Sequence, residues 1–133
     1  MKKGRTVLQA KRFGIHSCAL DTSLVVAIRI MVDEEIGSLV VTDDQGLLAG
    51  VITRMDILAA HMETDEWAYQ PVLAHMRTDV PVVSPHTTLM DAARLMLACD
   101  ARMVVVAIAE EGSWRPVAML TDADLAYHLV KGA

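Results

Sequence analysis

Gly50-Val51-Ile52-Thr53-Arg54-Met55-Asp56 decides the reading of this chain, because it returns as Ala118-Met119-Leu120-Thr121-Asp122-Ala123-Asp124. Each copy runs small residue, two apolar residues, threonine, two variable positions, aspartate. An apolar, strand-like run precedes each copy. A helical run follows, Ile57 to Ala60 after the first and Leu125 to Val130 after the second. Such a strand-to-helix corner gathers a hydroxyl, a carboxylate and unsatisfied backbone N–H groups, a set that can hold a ribose and its phosphates. The plainer reading is a capping box, with threonine capping the helix and the carboxylate returning to the threonine N–H. The two roles are compatible, since a capped helix still presents first-turn N–H groups.

The repeat extends well beyond the motif. Residues 7–41 align with 72–106 at a constant offset of 65, with ten identical pairs. These are Val7/Val72, Leu8/Leu73, Arg12/Arg77, Thr22/Thr87, Leu24/Leu89, Ala27/Ala92, Arg29/Arg94, Met31/Met96, Val40/Val105 and Val41/Val106. A three-residue insertion then moves the offset to 68, where Thr53/Thr121 and Asp56/Asp124 match. Two units are too few for a solenoid; two copies packing on each other are expected.

Each unit reads strand–helix–strand–strand–helix. A short extended piece comes first, Ser17 to Ala19 or Pro81 to Val83, with Pro85 disfavouring helix before it. Leu24, Ala27, Ile28 and Met31, and then Leu89, Ala92, Ala93 and Met96, give the apolar stripe of an amphipathic helix and are expected to be buried. Thr88 and Asp91 form a candidate cap for the second copy. Two apolar runs flank a polar turn: Ser38 to Val41 and Leu47 to Ile52 around Asp43-Asp44-Gln45-Gly46, then Met103 to Ala109 and Trp114 to Leu120 around Glu110-Glu111-Gly112-Ser113. These are hairpins whose near-continuous apolar character expects cover on both faces. The fold class is therefore α/β in the mixed α+β sense, with residues 6–62 and 72–131 as the two units. Residues 63–71 form a polar connector whose Trp67 and Tyr69 either pin it to the body or face a subunit interface.

Composition narrows the function. The chain is 53% hydrophobic but only 4% aromatic, so its core is aliphatic, with nine methionines as fillers. A net charge of −5, with basic pairs only at Lys2-Lys3 and Lys11-Arg12, argues against a nucleic-acid face. No apolar run approaches the ~20 residues of a membrane span. The start resembles a signal-peptide n-region, but Gln9, Lys11 and Arg12 break the run that should follow, and a soluble cytoplasmic protein is expected. Cys18 and Cys99 make no motif and read as small buried hydrophobes. His16, His61, His75, His86 and His128 have no metal-ligand spacing, and no serine lies in a nucleophile motif. An enzyme has the least support.

In these residues the chain resembles a tandem pair of cystathionine-β-synthase (CBS) domains, a Bateman module. Gly50 to Asp56 fits the family's mark fully; Ala118 to Asp124 fits with alanine for the usual glycine. Val72-Leu73-Ala74-His75-Met76 and Val82-Val83-Ser84-Pro85 also resemble the family's lead-in to its second domain. The resemblance covers roughly residues 6–131. It implies two β-α-β-β-α units related by a pseudo-two-fold axis. It also implies clefts between them for AMP, ADP, ATP or S-adenosylmethionine, with Mg²⁺ as a companion of the phosphates and no obligatory cofactor. Such pairs assemble as a disc-shaped homodimer and signal to an effector protein, here expected on another chain. The alternative of another class is a dimerisation scaffold that kept the fold and lost the ligand.

The resemblance assigns ligand contacts to Cys18, Ser38, Thr53, Arg54 and Asp56 in the first unit and to Val83, Met103, Thr121, Asp122 and Asp124 in the second. In the family the aspartate takes the ribose hydroxyls, which suits an acceptor-only carboxylate. Arg54 is either a solvated helix-start residue or a phosphate clamp with its planar fork. Its counterpart Asp122 would repel phosphate, so the first cleft is expected to take nucleotide phosphates in preference. Arg102, matching Gly37, is read as a surface charge, with a second phosphate contact as the alternative. The helix faces around Ile57, Leu58, Leu125 and Leu129 are the expected dimer surface.

Overall fold

The computed structural model describes residues 6–7 and 15–131. They form two compact units, 16–79 and 80–131 with residues 6, 7 and 15 added to the second. Of the repeat pairs, Leu8 and Arg12 lie outside the described residues, as do the basic pairs and the signal-like start.

The first unit contains β1 (Ser17–Ala19), α1 (Leu24–Glu34), β2 (Ser38–Thr42), β3 (Leu48–Thr53) and α2 (Arg54–Glu63). The second contains β4 (Val82–Val83), α3 (Leu89–Cys99), β5 (Met103–Glu110), β6 (Ser113–Thr121) and α4 (Asp122–Lys131). Each makes a three-stranded sheet, β1-β2-β3 or β4-β5-β6. The first pairing in each is parallel and the second antiparallel. The mixed α+β class read from the repeat is therefore the observed one.

The helical stripes explain why the first helix of each unit lies where it does. Leu24, Ala27 and Met31 are almost wholly buried, as are Leu89, Ala92 and Met96. Ile28 and Ala93 sit at the stripe's margin and are only partly buried against the same cores. Both helices stop at an acidic residue in left-handed conformation, Glu35 (φ 56°) and Asp100 (φ 51°). The following N–H closes back onto the helix, Ile36 to the Met31 carbonyl at 2.9 Å and Ala101 to the Met96 carbonyl at 2.8 Å. Thr88 does cap α3, accepting from the Asp91 N–H at 3.1 Å.

Consecutive strand residues Leu39, Val40 and Val41 are all buried, as are Val104, Val105 and Val106. Neighbours on a strand point to opposite faces, so both faces are covered. The two hairpins turn differently. Asp43 organises the first, its Oδ1 accepting from Gln45 N–H and Leu47 N–H at 2.9 Å each. The second is a two-residue turn with both residues at positive φ, Glu111 (49°) and Gly112 (82°), which suits the twist of its longer strands.

The units in space are not bounded as the repeats in sequence are. Val72 opens the second repeat, yet it is fully buried in the first unit's core and donates to the Thr22 carbonyl at 2.8 Å. Its mate Val7 opens the first repeat, yet it packs in the second unit's core and donates to the Thr87 carbonyl at 2.9 Å. Each repeat's lead-in thus completes the other repeat's core. The connector's Trp67 is pinned against the first core, with the His61 ring edge-on at 5.3 Å. Tyr69 is 85% exposed and pins nothing.

Candidate functional site

Ser38, Thr53, Arg54 and Asp56 converge where β3 ends and α2 begins. Ser38, first in β2, stands opposite Thr53, last in β3. Thr53 then caps α2. Its hydroxyl oxygen accepts from the Asp56 N–H at 3.2 Å. Its O–H and its backbone N–H both donate to Asp56 Oδ2, at 2.8 and 3.0 Å. The capping box is complete, and it fixes the carboxylate with Oδ1 turned away from the cap.

Oδ1 has a partner that the sequence reading did not single out. Arg77 Nε donates to it at 3.0 Å and leans on Oδ2 at 3.3 Å. The arginine side chain is 55% exposed and the aspartate's 13%. Arg77 is brought there by a backbone bridge to β3, Val51 N–H to its carbonyl at 2.9 Å and its own N–H to the Val51 carbonyl at 2.8 Å. The approach is close enough that a Cβ on Gly50 would lie 2.4 Å from the Arg77 carbonyl oxygen. That is the physical reason for glycine at the head of the first motif. The signal for Arg77 in the sequence was its identity with Arg12 in the repeat.

Arg54 is exposed, and its guanidinium lies back toward the start of β2. Its N–H donates to the Gly37 carbonyl at 3.0 Å, and its guanidinium lies over Gly37, where a Cβ would meet it at 3.1–3.4 Å. The lack of a side chain at position 37 makes the bed for that guanidinium beside the start of α2.

The second unit repeats the backbone with other side chains. Met103 faces Thr121 across β5 and β6. Thr121 N–H and O–H donate to Asp124 Oδ2 at 2.9 and 3.1 Å, and Asp124 N–H donates to the threonine oxygen at 3.2 Å. Asp122 N–H donates to the Arg102 carbonyl at 2.8 Å, the counterpart of the Arg54–Gly37 bond. The Asp122 carboxylate accepts from Ala123 N–H at 2.8 Å, so it stays at the helix start. Ala118 is accommodated at the motif's glycine position, 3% exposed.

Cys18 and Val83 place their side chains in the two cores. Burial pushes the Cys18 thiol up to about 11, opposed by a hydrogen bond with Thr22. At these two positions the backbone, rather than the side chain, is what a surface ligand can meet. On α2, Ile57 is buried in its own core, and on α4 so is Leu125. Both were expected to face outward; the caps at Thr53 and Thr121 set the helix phase that turns them in. Leu58 and Leu129, each 55% exposed, do face out, alongside Met55, Met62, Tyr127 and Val130.

A family model for the CBS domain matches the chain twice, over residues 12–63 and 72–131. The chain belongs to the CBS-domain family. Solved CBS structures cover nearly all of it. CBSX2 in complex with AMP is 26% identical with a TM-score of 0.80, covering 96% of this chain and 98% of that one. The MJ0100 CBS domain pair, in complex with 5′-methylthioadenosine and S-adenosyl-L-methionine, is 20% identical with a TM-score of 0.83, covering 96% and 98%. ATU1752 from Agrobacterium tumefaciens is 22% identical with a TM-score of 0.79, covering 94% and 93%. The last two likenesses show the fold. A 17.7 kDa protein in the bps2 3′ region of Acidianus ambivalens is 35% identical over 77 residues, 58% of this chain and 46% of that protein. The match spans under half the length of that curated relative. Among the described residues, no helix of the CBS pair is long and apolar enough to cross a membrane.

Proposed function

We propose that this CBS pair is a regulatory module that binds an adenosine-containing ligand at the Thr53–Asp56 corner and passes the bound state to an effector protein. The observation that carries the reading is the orientation of Asp56: its cap holds Oδ2, and Oδ1 is left for a partner outside the helix. A carboxylate held in that way suits the hydroxyls of a ribose. Arg54, lying over Gly37 beside the helix start, is the phosphate clamp, with Mg²⁺ as a companion when the ligand is ADP or ATP. AMP and S-adenosylmethionine, the ligands of the related structures, belong to the same class. The module acts by binding rather than catalysis, in the cytoplasm, and as a homodimer that covers the exposed apolar stripes of α2 and α4.

The second corner supports a different reading. There alanine replaces the motif's glycine at 118 and Asp122 stands where the first corner has Arg54, beside the cap of Thr121 and Asp124. There the module is a scaffold, and the anionic ligand belongs to the first corner.

A thermal-shift panel of AMP, ATP, NAD and S-adenosylmethionine tests the proposal, because a ligand that binds only the native state raises the melting temperature. Calorimetry then assigns the contacts. Asp56→Asn weakens adenosine and ATP alike, while Arg54→Ala weakens ATP and ADP about tenfold more than adenosine. Equal losses for adenosine and ATP in Arg54→Ala would remove the clamp; no shift with any nucleotide would leave the scaffold reading for both corners.

A further inference from the structure

We propose that Arg77 is a displaceable counter-ion that gates Asp56, and that a ribose cis-diol enters the first corner by taking the place of its Nε. The inference rests on the nucleoside reading of that corner. An ionised carboxylate offers about four lone-pair sites. Thr53 N–H and Thr53 O–H fill the two on Oδ2. Arg77 Nε–H donates chiefly to Oδ1 at 3.0 Å, with a longer 3.3 Å approach to Oδ2, and leaves one site on Oδ1. A ligand with one hydroxyl fits beside the arginine. A cis-diol donates twice and needs the site that Arg77 holds.

The two partners of the carboxylate differ in what leaving would cost. The threonine groups are part of the helix cap and cannot withdraw without opening α2. The Arg77 side chain is 55% exposed, so its guanidinium can turn into water without desolvation. Only the side chain is free to move, since the Arg77 backbone is tied to Val51 by two hydrogen bonds of 2.8 and 2.9 Å. The device is a side-chain gate on a fixed backbone. It sets a threshold for ligands that use both hydroxyls and none for ligands that use one.

Calorimetry of parent and Arg77→Gln with adenosine and 2′-deoxyadenosine tests this. Adenosine is expected to bind Arg77→Gln about two- to fivefold more tightly, the range of an exposed ion pair, with 2′-deoxyadenosine unchanged. A general structural effect of the substitution would move both nucleosides together. Arg77→Met, which also keeps the stem, repeats the measurement, and melting curves show that both variants fold. Adenosine unchanged or weakened in both variants, or both nucleosides tightened equally, overturns the gate while leaving the binding site standing. A parent that binds neither nucleoside overturns the site and the gate together.

Discussion

Gly50→Ala is the sharpest test of how the first corner is built. Gly50 is not among the glycines at positive φ, so alanine is allowed there by backbone conformation. Taken alone, the change would stabilise the protein by about 0.4–1 kcal/mol through the unfolded chain. The contact decides otherwise, because the new Cβ would sit 2.4 Å from the Arg77 carbonyl oxygen and 3.0 Å from Met76 Sδ. The sulfur can move, but the carbonyl belongs to a backbone held by two hydrogen bonds to Val51. The chain either keeps those bonds under strain, at roughly 1–3 kcal/mol for overpacking, or gives them up at ~0.5–1.5 kcal/mol each. After the backbone gain is subtracted, the expected net loss is about 1–2 kcal/mol. Urea titration at 25 °C measures it as a lower midpoint at unchanged slope. Hydrogen exchange supplies the local readout, with faster exchange at the Val51 and Arg77 amides and unchanged exchange in the core of β5. A midpoint within the error of the parent, with both amides still protected, would refute the close-approach argument.

Three further outcomes follow from the same geometry. Thr53→Ala removes the hydroxyl from the α2 capping box and should cost about 1 kcal/mol in urea titration, in ligand-free protein. Glu35→Gly and Asp100→Gly relieve left-handed residues at the ends of α1 and α3 and should each stabilise by about 0.5–1 kcal/mol, seen as raised melting temperatures. Cys18 has its folded pKa raised to about 11 from 9.0, so from pH 9 to 11 the unfolded chain holds fewer protons and stability falls as pH rises. Below pH 9 the thiol contributes no slope, and Cys18→Val should flatten the fall between pH 9 and 11 relative to the parent.

What could be read from the sequence was what repeats or has a period. Leu24, Ala27 and Met31 share a helical face, and their mates at 89, 92 and 96 share the next, so both helices and their burial were legible. The hairpins followed from valine-rich runs around polar turns, and the two caps from the threonine–aspartate spacing. Helix phase was less legible. A short run such as Ile57-Leu58 offers two apolar neighbours, and only the folded cap decides that Ile57 turns in and Leu58 out. The Arg77–Asp56 pair joins residues 21 apart through no local pattern, and its position depends on a strand bridge that no periodicity encodes. The exchange of Val7 and Val72 between cores was hidden for a related reason: identical lead-ins fit either core, and sequence order suggests the wrong one.

The two corners show how a duplicated backbone acquires different charge without changing shape. In both, the first N–H of the closing helix donates to the carbonyl of the residue before the second strand, Arg54 to Gly37 at 3.0 Å and Asp122 to Arg102 at 2.8 Å. The arginine stands on opposite sides of that bond. In the first unit it is on the helix, over a glycine that makes room for it. In the second it is before the strand, and an aspartate occupies the helix start. Position for position at the helix start, the first corner carries the cation Arg54 and the second the anion Asp122. Both side chains are exposed, where a charge contact is worth ~0.2–1 kcal/mol. Under the proposed function, discrimination of an anionic ligand between the corners would lie in these charged positions, set on an equal backbone.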